Sequence, residues 1–93
     1  MLSEIYYILR SSADGRYLVA HPHGETLAYL LLFRENFDAL SYLNIHAGEL
    51  ANRFTLESFP GTQLGNLIKR WGFRGVGIVI DPLLPKIDFM KYD

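Results

Sequence analysis

The chain has no cysteine. That excludes disulfides, thiolate nucleophiles and thiolate metal ligands, and it makes a cytoplasmic location the expectation. No apolar run approaches the roughly 18 residues of a spanning helix, so no membrane partner is expected. The N-terminus, Met1-Leu2-Ser3-Glu4, lacks the basic segment that opens a signal peptide. Charge is also scarce. Only 20% of residues are charged, nine Lys or Arg against ten Asp or Glu, for a net of −1. No like-charge block stands out, and this balance argues against a strongly basic nucleic-acid binder. There is no internal repeat and no low-complexity tract. What is abundant is apolar surface. Hydrophobic residues make up 49% of the 93, including 6 Phe, 6 Tyr and 1 Trp. Such a chain buries a core and is not intrinsically disordered, and its length suits one domain spanning residues 1–93.

Ile5-Tyr6-Tyr7-Ile8-Leu9 is rich in β-branched and aromatic residues and reads as a strand. Asp14-Gly15 follows, then Tyr17-Leu18-Val19-Ala20, so a hairpin with a tight two-residue turn is expected. That register sets Ala13 opposite Arg16, with Ile8, Arg10, Tyr17 and Val19 on one face and Leu9, Leu18 and Ala20 on the other. Ala28-Tyr29-Leu30-Leu31-Leu32-Phe33 is continuously apolar, as in a strand buried on both faces. Asn36 is a candidate N-cap for a helix whose stripe is Phe37, Leu40, Leu43, Ala47 and Leu50, with Gly48 ending or bending it. Arg53 to Phe59 alternates as a strand with mixed faces near an edge. Thr62 is a candidate N-cap for a second helix with the stripe Leu64, Leu67, Ile68 and Trp71, and Gly72 suits its C-terminal cap. Gly75-Val76-Gly77-Ile78-Val79-Ile80 is the last strong strand, stopped by Asp81-Pro82. Lys86 to Tyr92 alternates as a short extra strand. The order β-β-β-α-β-α-β, with that C-terminal addition, predicts an α+β fold. It rests on a single mixed β-sheet with the two helices packed mainly on one face.

His21-Pro22-His23-Gly24-Glu25 is the one ligand-like constellation. In an extended segment His21, His23 and Glu25 would point the same way and suit zinc. Pro22 and Gly24 equally mark a turn, and three ligands from one segment seldom complete a site. No metal and no cofactor is expected. His46 has the chemistry of a general base but no adjacent nucleophile, and late in a helix it suits the dipole. The serines lie in no Gly-x-Ser-x-Gly elbow. Gly72-Phe73-Arg74-Gly75-Val76-Gly77 looks like a phosphate loop but follows a helix and opens a strand, the reverse of the dinucleotide context. Lys69, Arg70 and Arg74 alternate with Trp71 and Phe73, a pattern that serves single-stranded nucleic acid, yet Trp71 falls on the apolar helix stripe. Asp81-Pro82 reads as a turn.

The residues from Tyr29 onward carry a resemblance. A strand Tyr29 to Phe33 is followed by an acidic helix start, Glu35 to Ala39. A short strand and a helix with Leu64, Leu67 and Ile68 come next, and a Gly-Val-x-Ile-x-Ile-x-Pro strand closes from Gly75 to Pro82. This resembles the SseB N-terminal-like family of small bacterial domains over about half of the chain. It departs in having Asp81 where that family usually has Asn. The resemblance implies little about activity, because that family has no established enzymatic activity, and it carries over no catalytic residue.

With two helices on one face, the other sheet face would stay open although its strands are apolar there too. The leading expectation is therefore a protein-interaction module that self-associates as a homodimer. Tyr6, Ile8, Tyr17, Val19 and Tyr29 form the expected interface. The alternatives are a small-ligand or metal-binding domain or small enzyme using His21, His23 and Glu25, and a regulatory subunit of a larger complex.

Overall fold

The computed structural model describes residues 4–92, so the signal-peptide reading, which rests on residues 1–3, lies largely outside the described residues. The elements run β1 (Ile5–Ser11), β2 (Val19–Ala20), β3 (Tyr29–Phe33), α1 (Asn36–His46), β4 (Phe54–Pro60), α2 (Leu64–Trp71), β5 (Gly75–Asp81) and β6 (Lys86–Lys91). Among the described residues the six strands form one mixed sheet of order β4-β1-β3-β5-β6, with β2 paired to β3. The β3–β5 pair is parallel, and the remaining pairs are antiparallel. This is the expected α+β fold on a single mixed sheet. No helix among the described residues is long and apolar enough to cross a membrane.

The two helices lie on opposite faces of the sheet, which corrects the expectation of one shared face. Alternate residues of β3 enter two separate cores. Leu30 and Leu32 join Tyr6, Ile8 and Val76 beneath Leu64, Leu67 and Ile68 of α2. Leu31 and Phe33 join Leu9 and Val79 beneath Ala39 and Leu43 of α1. The cause is topological. The pairings make β3, β4 and β5 run in the same direction. The β3-to-β4 crossover travels one way across the sheet, and the β4-to-β5 crossover travels back past β1 and β3. Right-handed connections running in opposite directions fall on opposite faces. The two-sided apolarity of Tyr29–Phe33 thus has an internal explanation, because all five residues are buried by the chain itself.

The first helix is also rotated relative to expectation. Its buried row is Ala39 and Leu43, with Tyr42 and Ala47 packed beside them. Phe37 (61% exposed) and Leu40 (49%) face outward. Small Ala39 allows close approach to the sheet, and the helix stops before Gly48, whose φ of 56° is left-handed. Leu50 lies beyond it in a separate helical stretch, Gly48–Arg53.

The hairpin is wider than a two-residue turn. Arg10 pairs with Tyr17, and Ser11 N donates to Arg16 O at 2.7 Å. Ala13 N donates to Ser11 Oγ (3.2 Å), and Arg16 N donates to Asp14 Oδ1 (3.0 Å). These local bonds hold a four-residue loop in which Gly15 alone is left-handed, at φ 73°. The register differs by two residues, so the predicted facing survives. Leu18 N donates to Leu9 O (2.8 Å), and Leu31 N donates to Leu18 O (3.2 Å), which wedges this segment between β1 and β3.

Candidate functional site

The feature that the fold assembles from distant parts of the chain is a groove between α2 and the N-terminal hairpin. Two adjoining hollows share Tyr17 and Trp71 as their common wall. One, of about 500 Å³, is lined by Arg10, Phe59, Gln63, Asn66, Leu67 and Arg70 besides that wall. The other, of about 330 Å³, adds Arg16, Val19 and Phe73. Both volumes are of the size that small-molecule sites occupy, roughly 300–1,000 Å³. No carboxylate among the described residues lines either hollow.

Local structure explains each side chain's position. Antiparallel pairing places Arg10 and Tyr17 on the α2 face of the sheet. Arg10 Nε donates to Gly15 O at 2.7 Å, which fixes the guanidinium 4.8 Å above the Tyr17 ring centroid, within reach of a cation–π contact. A long ion pair of 3.9 Å to Glu57 on β4 holds it from the other side. Tyr17 meets Trp71 edge to face. Gly72 then takes the left-handed cap conformation, φ 72°, and Phe73 N donates back to Ile68 O at 3.0 Å. This reversal brings Phe73 nearly parallel to Trp71, at 6.1 Å and 17°.

Trp71 is a correction to the helix stripe. Leu64, Leu67 and Ile68 are buried as expected, but Trp71 stays 38% exposed. It occupies the last turn of α2, where it packs against Tyr17 and Phe73 and forms the groove wall. Of the basic cluster flanking it, only Arg70 reaches the groove. Lys69 is absent from the lining, and Arg74 stands beside Tyr29. Arg10, Arg16, Gln63 and Asn66 carry no local signal of a site; their residue types become informative only once the hairpin is seen beside α2.

The other expected site residues are placed differently. Of the proposed interface, Tyr6, Ile8 and Tyr29 are buried in the chain's own core and have no free surface for a partner. Tyr17 and Val19 are half-buried groove residues. His21, His23 and Glu25 do not converge. Pro22–Gly24 forms a short helical turn, with His23 at φ 55°, so the alternation of an extended segment is lost. His21 Nδ1 donates to Glu25 O (3.2 Å), while the Glu25 carboxylate accepts the Tyr29 hydroxyl (3.1 Å). Among the described residues no group of three His, Cys, Asp or Glu side chains is placed to hold a metal ion. His46 Nε2 donates to Pro82 O (2.9 Å), tying α1 to the β5–β6 loop. Asp81 Oδ1 accepts Leu83 N (2.8 Å), the turn role expected of it.

Three groups have shifted ionisation. The backbone amide of Arg16 holds the Asp14 carboxyl below its ordinary value. Burial, aided by the bond to Glu25, pushes the Tyr29 phenol up, and burial alone raises Tyr42. None of the three lines the groove, whose chemistry is that of permanently charged guanidinium groups and aromatic faces. Comparison of the chain with family models, with curated proteins and with solved structures found no match to any of them.

Proposed function

We propose that the protein is a non-enzymatic binding module that holds an anionic ligand in the groove between α2 and the hairpin. The observation that carries this is the convergence of Arg10, Arg16 and Arg70 on one aromatic-walled groove whose lining, among the described residues, contains no carboxylate. Guanidinium groups give bidentate hydrogen bonds to carboxylate or phosphate and keep their charge at any physiological pH. Among the described residues the lining offers Arg, Gln, Asn, aromatic and aliphatic side chains but no histidine, serine, carboxylate or thiol. The Tyr17 phenol has no such partner among the described lining residues, so no nucleophile–base pair is assembled there, which favours binding over catalysis.

The test is a titration with inorganic pyrophosphate followed by amide and side-chain NMR. Saturable shifts confined to the Trp71 indole, the Gln63 and Asn66 amides and the groove arginines support the reading. Shifts that are absent, or that fall elsewhere, overturn it.

A second reading, self-association, is favoured by one observation. Phe37, Leu40 and Ile45 of α1 are all about half or more exposed. The occupant proposed for this surface is a second copy of the chain, paired helix to helix. Light scattering across a concentration series checks it. A dimer that Leu40→Glu dissociates supports it, and a monomer at every concentration removes it.

A further inference from the structure

We infer that the ligand of the groove is a nucleotide unit, with its base over the Tyr17–Trp71–Phe73 hollow and its phosphate at Arg10 and Arg70. The inference rests on the anion-binding reading above and adds the chemical class.

The two hollows differ in character although they share a wall. The smaller one is bounded by Tyr17, Val19, Trp71 and Phe73, with Arg16 as its one charged side chain. It suits a flat, weakly polar ring system. The larger one draws Arg10 from β1 and Arg70 from α2, with Asn66 of α2 and Gln63, which immediately precedes that helix, also in its lining. Two guanidinium groups on separate elements match the several acceptor oxygens and multiple charge of a phosphate better than a single carboxylate. The amides of Gln63 and Asn66 offer both donors and acceptors, which is what sugar hydroxyls require. A ligand spanning both hollows therefore carries a flat ring at one end, an anion at the other and polar hydroxyls nearby. A nucleoside phosphate has that order of groups.

Arg10 is preorganised for the role. Its guanidinium is held by Gly15 O and Tyr17, while its ion pair to Glu57 is long and half-exposed. A phosphate with full charge competes well for such a group. Trp71 is already 38% exposed, so a base can meet it without rearrangement of the core.

Free nucleotides and single-stranded nucleic acid present the same unit, and the experiment separates them. The single Trp makes fluorescence a direct readout of the groove. Inorganic phosphate, adenosine, AMP and a hexameric oligonucleotide are titrated separately into the full chain. AMP is expected to bind at least about fivefold more tightly than phosphate, since base–aromatic stacking typically contributes that much or more. Arg70→Gln, a substitution at an exposed position that supports no core contact, is expected to weaken AMP binding about tenfold and leave the thermal midpoint unchanged. Trp71→Leu, followed by calorimetry and checked for folding by circular dichroism, is expected to reduce AMP affinity to that of phosphate. Tighter binding of the oligonucleotide than of AMP assigns the unit to a polymer, and the reverse assigns it to a free nucleotide. Phosphate binding that the adenosine moiety does not improve in either probe overturns the nucleotide inference and leaves the anion reading intact. No response to phosphate, AMP or oligonucleotide overturns both.

Discussion

Tyr17 and Trp71 meet edge to face, with ring centroids 5.0 Å apart and planes at 71°. This contact joins the N-terminal hairpin to the end of α2 and sets the shape of the groove. Aromatic pairs of this geometry couple by about 0.5–1.5 kcal/mol beyond the area they bury. A double-mutant cycle with Tyr17→Leu and Trp71→Leu, measured by urea unfolding under circular dichroism, should return a coupling in that range. Strictly additive losses would mean that the two rings are held independently.

The separation of the core by the sheet has an energetic consequence. Ile68 belongs to the α2 side and Leu43 to the α1 side, with no buried partner in common. Ile68→Val should cost about 0.5–1.5 kcal/mol, and Leu43→Ala about 2–5 kcal/mol. The double variant should equal the sum within about 0.5 kcal/mol, as expected of sites without shared contacts. A larger departure from additivity would show that the faces communicate through the backbone of β3.

The rotation of α1 is equally testable. Phe37→Ser should change monomer stability by no more than about 0.5 kcal/mol, since the ring is 61% exposed. Ala39→Leu should be worse, by about 1–3 kcal/mol, because Ala39 has no exposed surface and faces the sheet. The reverse ranking, read from urea midpoints, would restore the stripe drawn from Phe37 and Leu40.

These outcomes bear on what the sequence makes legible. Signals written within a few residues were readable. Gly72 caps α2, Asp81 accepts Leu83 N in a turn, Gly75–Asp81 is a strand, and Lys86–Lys91 pairs with it at the edge. Choices settled by distant partners were not. Helix α1 carries Phe37, Ala39, Leu40, Leu43 and Ile45 around most of its circumference, so its periodicity marks no unique buried row. Which sheet face each helix covers follows from strand order, and that order depends on β1 lying between β4 and β3. The hairpin register turned on side-chain bonds from Ser11 and Asp14 that compete with the tight Asp-Gly turn. The groove was half visible. Arg70-Trp71-Gly72-Phe73 is a basic and aromatic run, but Arg10, Arg16 and Tyr17 join it only through tertiary packing.

Buried Tyr29 and half-buried Tyr42 predict a loss of stability in alkali. Tyr29 is 2% exposed, and its hydroxyl donates to Glu25 Oε1 at 3.1 Å. Ionising it would leave a phenolate in the core facing a carboxylate, so its folded pKa lies above the ordinary value near ~10. Burial raises Tyr42 in the same direction. In the unfolded chain both phenols lose their protons at the ordinary value. The stability tied to keeping those protons is therefore fully present below pH ~10, and it is lost as pH climbs through the raised folded values. Tyr29→Phe removes one such group, together with a buried hydrogen bond. The variant should start less stable at neutral pH and then lose less between neutrality and strong alkali than the parent does. Urea midpoints measured across that range check the sign. A parent and variant whose midpoints fall in parallel would show that Tyr29 does not govern the alkaline transition.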